Sequence, residues 1–375
     1  MAIDRKEMWQ QWMIGSLVNV EGTLCIPEEW KYYQQLMMVR ESMVQVARSK
    51  EDLFRLPDRV RKGRGGIVAT RLGRRLELCM GMDYHAIERS FPRHRFDPYF
   101  RLFMEVFCAS PLWRREYLRK DLTYLKSLVD ALRAGAKRKG FMQGVANHKR
   151  GSIKNERAVR KYIDDLYGDY AKLLHVRIDL YYDMSTVKPG DLVVEPEVMK
   201  AHRERLLRYV RAKYPSAVGH MWTLEFGPMK GPHYHIFLHF DGSKVRNGIT
   251  IAQQLGEHWR HVITKGAGRY WNVNSQEAGF EKQGRRGIGL ISHHDLKRRE
   301  NLLKAASYLV KVDLFVRVEM PGVTKTFGHG VFRPRKRSNA GRKRKGHKLL
   351  KWLDEASKRA LLPRRPTMPE LPRGI

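Results

Sequence analysis

The chain has 375 residues, of which 73 are Lys or Arg and 39 are Asp or Glu, so its formal charge is +34. Apolar residues make up 42 %, too many for a wholly disordered basic protein, and no run of about 18 apolar residues offers a membrane-spanning helix. Such a charge calls for an anionic partner. Nucleic acid comes first, because Lys and Arg neutralise phosphates and release counterions; a membrane surface comes well behind it, with no lipidation motif in the sequence.

The opening segment, MAIDRKEMWQQW, is polar and mixed in charge and does not read as a signal peptide. Cys25, Cys79 and Cys108 are far apart and include no CxxC pair. This argues against a disulfide framework or a zinc finger, and a reducing cytoplasm fits.

Residues 1–94 read as mostly helical, with no assigned role. Within them Arg61–Arg75 reads as a Gly-rich basic loop or hairpin. Residues 95–170 read as a helical unit. Asp97-Pro98 is a helix start, with a capping carboxylate and then proline at the first position. Ser110-Pro111 repeats the device, and Gly135 is expected to end that helix. Residues 136–152 read as a basic linker, and a third helix is expected from Asn155 to about Gly168.

Residues 171–332 change character. His175–Asp183 alternates as a strand. Pro196–Tyr214 is an amphipathic helix stopped at Pro215. His220–Phe226 and His233–Phe240 are strands flanking a GPMKG turn. Thr250–Ile263 is a helix, Gly268–Asn274 a strand, Ile288–Ser292 a further short strand and Arg298–Val312 a helix. The order β-α-β-β-α-β predicts an α+β fold of split βαβ (ferredoxin/RRM-like) type with an antiparallel sheet. Residues 333–375 hold 15 basic and 3 acidic residues and are expected to form a disordered basic tail that contacts nucleic acid.

The chemistry is expected on PHYHIFLHF. His233 and His235 are two apart on a strand, so both imidazoles point to one face and can meet one ion. A hairpin through Gly227–Gly231 brings Glu225 opposite them, giving two imidazoles and a carboxylate for a divalent cation. In AASYLVK, Tyr308 and Lys311 are three apart and share a helix face. A phenol with a free pKa near 10 becomes a useful nucleophile toward a polarised phosphate. Asp179, Tyr181, Tyr182, Asp183 and His220 lie near this site by strand order, though ordinary strand ends explain each of them as well.

HYH (His233–His235) resembles the metal motif of HUH endonucleases, the rolling-circle initiators and relaxases, and YLVK (Tyr308–Lys311) resembles their YxxK nucleophile motif. The layout is similar to the inovirus Gp2 family of YagK/YfjJ C-terminal type, which shares MWTLEFG, GPHYHIFLHF, YLVK and FGHG. The resemblance implies an HUH catalytic domain at 171–332. It implies Glu225, His233 and His235 as ligands to Mg²⁺ or Mn²⁺, Tyr308 as nucleophile and Lys311 as its partner. The implied activity is nicking of single-stranded origin DNA through a 5′-phosphotyrosine and rejoining of the strand. That would start rolling-circle replication of a filamentous phage or prophage, in the cytoplasm of a bacterial host and with host helicase and DNA polymerase. Lys304 stands where a second tyrosine would be, so a single-tyrosine enzyme is implied. A plasmid-type relaxase, a single-strand transposase or a silent DNA-binding regulator are the alternatives.

Overall fold

A computed structural model describes residues 18–20, 23–25, 29–57, 66–91, 93–108, 121–185, 194–227, 231–311 and 316–334. Almost all of the expected tail therefore lies outside the described residues.

The first part is mainly helical. β1 (Val18–Val20) pairs with β2 (Thr23–Cys25). Next come α1 (Glu29–Arg48), β3 (Phe54–Arg55), β4 (Val68–Ala69), α2 (Arg71–Met80) and α3 (Tyr84–Ser90). β5 (His94–Phe96), α4 (Pro98–Cys108), α5 (Leu122–Lys137) and α6 (Phe141–Asp169) complete this part. Side-chain oxygens open three of these helices by accepting an orphan N–H: Thr70 from Gly73, Asp83 from Ala86, and Asp121 from Thr123. Asp97 caps α4 as expected, accepting from the Tyr99 N–H at 2.9 Å. It also accepts from Arg40 Nε at 3.1 Å, which ties α1 to α4.

Three local expectations change. Arg61–Arg75 is neither loop nor hairpin throughout. Val68–Ala69 pairs with Phe54–Arg55, and the chain is helical from Arg71, burying Leu72, Leu76, Cys79 and Met80; residues 58–65 lie outside the described set. The expected helix start at Ser110-Pro111 lies outside the described residues; α5 begins at Leu122, capped by Asp121, whose backbone is extended, and continues past Gly135 to Lys137. The expected linker 136–152 is mostly the first part of α6, a single 29-residue helix. Its buried Val145, His148 and Ser152 extend the stripe formed by Val159, Ile163 and Leu166. Two of the three glycines that suggested a linker have local reasons. Gly140, at φ 85°, makes the left-handed turn before α6, and a Cβ on Gly151 would come within 2.9 Å of Arg317 Nη2.

The second part is built on a sheet. β6 (Lys172–Tyr182) leads to α7 (Pro196–Lys213), β7 (Ala217–Gly227), β8 (Gly231–Asp241) and α8 (Gly248–Glu257), which runs on as a π-helical turn at His258–Ile263. β9 (Gly268–Asn272), α9 (Glu277–Lys282), β10 (Gly289–Ser292), α10 (Leu296–Lys311), β11 (Val316–Val318) and β12 (Phe327–His329) follow. The strands lie in the order β10–β6–β8–β7–β12, all antiparallel, and β9 shares the outer edge of β6 with β10. Between β9 and β10 the buried Asn274 side chain accepts from the Arg177 N–H and donates to the His175 carbonyl, taking the place of strand pairing for these two groups. The chain is α+β, as its sequence predicts.

Strand alternation divides the sheet into two faces. Val176, Ile178, Leu180, Ile236, Leu238, Phe240, Trp222 and Leu224 form one core with α7 and α8. Leu173, Met221 and Phe237 form another with Val159, Ile163 and Leu166 of α6 and Leu302, Ala306, Leu309 and Val310 of α10. The helical part has its own core, in which residues 36–91 and 99–136 pack together with Val145.

Candidate metal centre

His233 and His235 fall on the face of β8 that turns toward α6 and α10. The register sets Glu225 opposite His233 on β7, and His235 between Thr223 of β7 and Asp179 of β6. Glu225, His233 and His235 each offer one ligand atom, and those atoms lie within 4.8 Å of one another. Glu225 Oε2 is 3.7 Å from His233 Nε2 and 3.3 Å from His235 Nε2. Neighbouring ligand atoms about 2.1 Å from one ion stand about 3.0–3.4 Å apart, so a small inward adjustment of His233 fits the set to a cation.

Each imidazole is oriented from behind. His233 Nδ1 lies 3.0 Å from the Gly231 carbonyl, and His235 Nδ1 lies 2.8 Å from Asp179 Oδ1. Both acceptors place the ring proton on Nδ1 and free Nε2 as a ligand. Arg177 Nη2 is also near His235 Nδ1, at 3.3 Å, but the shorter carboxylate contact decides the tautomer. Arg177 instead grips Asp179 through two contacts of 3.1 Å.

The charges reinforce one another. Burial pushes the Asp179 carboxyl up, but Arg177 and His235 outweigh it and hold the group well below the usual carboxylate range. Burial likewise opposes ionisation of Glu225, and His235 with His233 overcomes it, so its pKa falls. Burial lowers His235, yet Asp179 and Glu225 raise it to about 9. In the metal-free chain His235 therefore holds a second proton, on the Nε2 that faces Glu225, and a cation binding there would displace it.

The model of the YagK/YfjJ C-terminal domain family matches residues 136–330. The chain belongs to that family. No curated protein and no solved structure matches it. The YagK/YfjJ C-terminal domain contains the whole central sheet, Glu225, His233 and His235, and α10 with Tyr308 and Lys311.

Within that domain, Tyr308 and Lys311 lie in α10, and their side chains fall outside the described residues. The flanking Leu309 and Val310 border a small cavity that Glu225 and Thr223 also border. Of the other residues named from strand order, Asp179 touches the triad, and Tyr181, two residues on along β6, lies close enough to Asp179, Asp183 and Arg269 for their charges to act on its phenol. Tyr182 points to the opposite core, near His202 and Trp259, and Asp183 pairs with Arg269. His220 takes part in a separate cluster at the far end of β7, where its N–H donates to the Tyr162 hydroxyl. His239 shares the face of His235 but pairs with His175, Nδ1 to Nδ1 at 2.8 Å, and His175 Nε2 meets the Tyr167 hydroxyl.

Two neighbours of the triad go unnoticed in sequence: Arg177, two residues before Asp179 on the same face, and Thr223, opposite His235. Strand parity marks both positions, but only the register brings them to His235. A third is His94, from the helical part. It is close enough for Glu225 to act on its charge. Burial dominates and lowers its imidazole to about 4.

Proposed function

We propose that the chain is a metal-dependent nicking and joining enzyme for single-stranded DNA, acting as a rolling-circle replication initiator of a filamentous phage or prophage. The observation that carries this reading is the position of the Glu225–His233–His235 cluster on the sheet face covered by α10, the helix that contains Tyr308. The strand order supports it too. β9, β6, β8 and β7 lie side by side, the fourth, first, third and second strands of a split βαβ sheet, as in ferredoxin/RRM-like folds.

The carboxylate and two imidazoles would hold a divalent cation; Mg²⁺ or Mn²⁺, the ions that the family resemblance implies, would as a bound Lewis acid polarise a scissile phosphate. Asp179 and the Gly231 carbonyl hold the histidine rings at fixed tautomers, so the donor set is organised before substrate arrives. The Tyr308 phenol loses its proton and its oxygen bonds to phosphorus; the bond from phosphorus to the 3′ oxygen breaks, and that oxygen leaves as a 3′-OH. Lys311, one turn along, steadies the phosphate or the phenolate. The phosphotyrosine conserves the phosphodiester energy, so attack by another 3′-OH reverses the step and closes a circle. The 3′-OH primes synthesis by host polymerase behind a host helicase. The +34 charge supplies phosphate contacts for single-stranded and origin DNA.

The test is to incubate the full chain with single-stranded origin DNA, with Mn²⁺ or with EDTA. Site-specific nicking that requires Mn²⁺ supports the reading. Nicking in EDTA, or none under any metal, overturns it.

A further inference from the structure

Glu225 has two carboxylate oxygens with different surroundings. Oε2 faces the two imidazoles, whereas Oε1 is buried without a hydrogen-bond partner. Glu225 also borders a cavity of about 10 Å³, room for about one water-sized sphere. Three of the residues that border it each carry a buried polar atom with no partner: Thr223 Oγ1, Glu225 Oε1 and His94 Nδ1. Leaving such an atom unsatisfied costs about 1–3 kcal/mol, and three around one hole of this size have a common solution.

We propose that one buried water bridges Thr223, Glu225 and His94, and that His94 thereby acts as a positioning residue for the metal carboxylate. The donors and acceptors balance. The water accepts from the Thr223 hydroxyl and donates one hydrogen to Glu225 Oε1 and the other to His94 Nδ1 of a neutral imidazole. Three bonds is the usual complement of a buried water. With Oε1 anchored, Oε2 keeps its direction toward His233 and His235.

His94 lies outside the matched residues 136–330, so the helical part would supply a piece of the centre that the family region lacks. Its position is enforced. His94 pairs with Val318 of β11, the strand that follows α10, and its ring packs edge-on against Phe91 at 5.4 Å and Phe226 at 6.2 Å. Tyr33 of α1 and Val318 border the same cavity. The helical part is thus fastened to the segment beyond α10 at the point where it reaches Glu225.

This inference rests on Glu225 being a metal ligand, and the experiment separates the two. Mn²⁺ affinity is measured calorimetrically for the full chain and for His94→Ala, His94→Gln, Thr223→Val and His235→Ala, with melting in EDTA recorded for each. His94→Ala and Thr223→Val should weaken Mn²⁺ binding about 10–100-fold, the usual effect of losing an outer partner of a ligand. His94→Gln, which keeps a polar group there, should recover part of the loss at an unchanged EDTA melting temperature. A merely structural role would lower melting and leave affinity alone. If His235→Ala loses Mn²⁺ while His94→Ala and Thr223→Val bind like the native chain, the bridge is wrong and the metal reading stands. If the native chain binds no Mn²⁺, the metal reading fails. A crystal structure then still decides the bridge: a water within hydrogen-bond distance of all three atoms supports it, and an empty cavity refutes it.

Discussion

Asp179 and His235 face each other across the pairing of β6 and β8, and their side chains meet at 2.8 Å. Arg177 grips Asp179 as well and also lies 3.3 Å from His235 Nδ1. The result is a compact charge network, Arg177, Asp179, His235 and Glu225, that reaches the candidate cation position.

Asp179→Asn should therefore have two effects. Mn²⁺ affinity should fall about 10–100-fold, because His235 loses the carboxylate that orients it. Stability should fall by about 3–5 kcal/mol, because Arg177 is left as an unpaired buried charge. The double variant Arg177→Met, Asp179→Asn removes that stranded charge, so denaturant unfolding should show stability recovered while calorimetry shows affinity still low. Native-like Mn²⁺ binding by Asp179→Asn would refute the orienting role.

His233→Ala and His235→Ala should each reduce metal binding and DNA nicking together. EDTA should reproduce the loss in the native chain, and excess Mn²⁺ should restore the weaker variant in part. Retained nicking by both variants at native rates would remove all three residues from the chemistry.

The second histidine group predicts the acid limb of stability. Burial lowers His239 to about 3 and His220 to about 4, and holds His175 well below its usual 6.5. The unfolded chain therefore takes up these protons first. Stability should fall as pH drops below 6.5, each group contributing up to about 1.4 kcal/mol per pH unit until its folded value is reached. His235 works in the opposite direction and in another window: its raised value makes its contribution complete below 6.5 and lost as pH climbs through about 9. Denaturant titrations in EDTA between pH 7 and 5 check this. A flat profile there would show that the buried histidines do not titrate as their surroundings require.

The sheet was legible because strand alternation and helix periodicity are local. Val176, Ile178 and Leu180 marked β6, and His233 with His235 marked one face of β8. Glu225 was legible because a tight hairpin fixes the register between neighbouring strands. Arg177 and Thr223 were not, since their meeting with His235 depends on pairing across the sheet. His94 gave no signal at all: more than a hundred residues separate it from Glu225, and packing of one core against another brings them together. The helical part misled where glycine is used for close packing, as at Gly151, and where Asp121 caps a helix rather than lying within one.

Deletion of 333–375 should lower general DNA affinity and leave nicking of a saturating oligonucleotide nearly unchanged, because the segment holds no candidate ligand or nucleophile. Each lost phosphate contact removes about 0.7–0.9 from the slope of log affinity against log salt. With 15 basic residues in the segment, a reduction equivalent to a few contacts is expected. An unchanged slope with a lower melting temperature would mean that the tail is structural.

The most direct measurement is the covalent adduct. The full chain is incubated with single-stranded origin DNA and Mn²⁺, denatured, and resolved by size, alongside Tyr308→Phe. The native chain should give a band shifted by the attached DNA, with the phosphate mapped to Tyr308, and Tyr308→Phe should bind the same DNA and give no adduct. An adduct in Tyr308→Phe, carried instead by Tyr181, Tyr182 or Tyr270, would contradict the assigned nucleophile, and no adduct from the native chain would contradict the proposed chemistry itself.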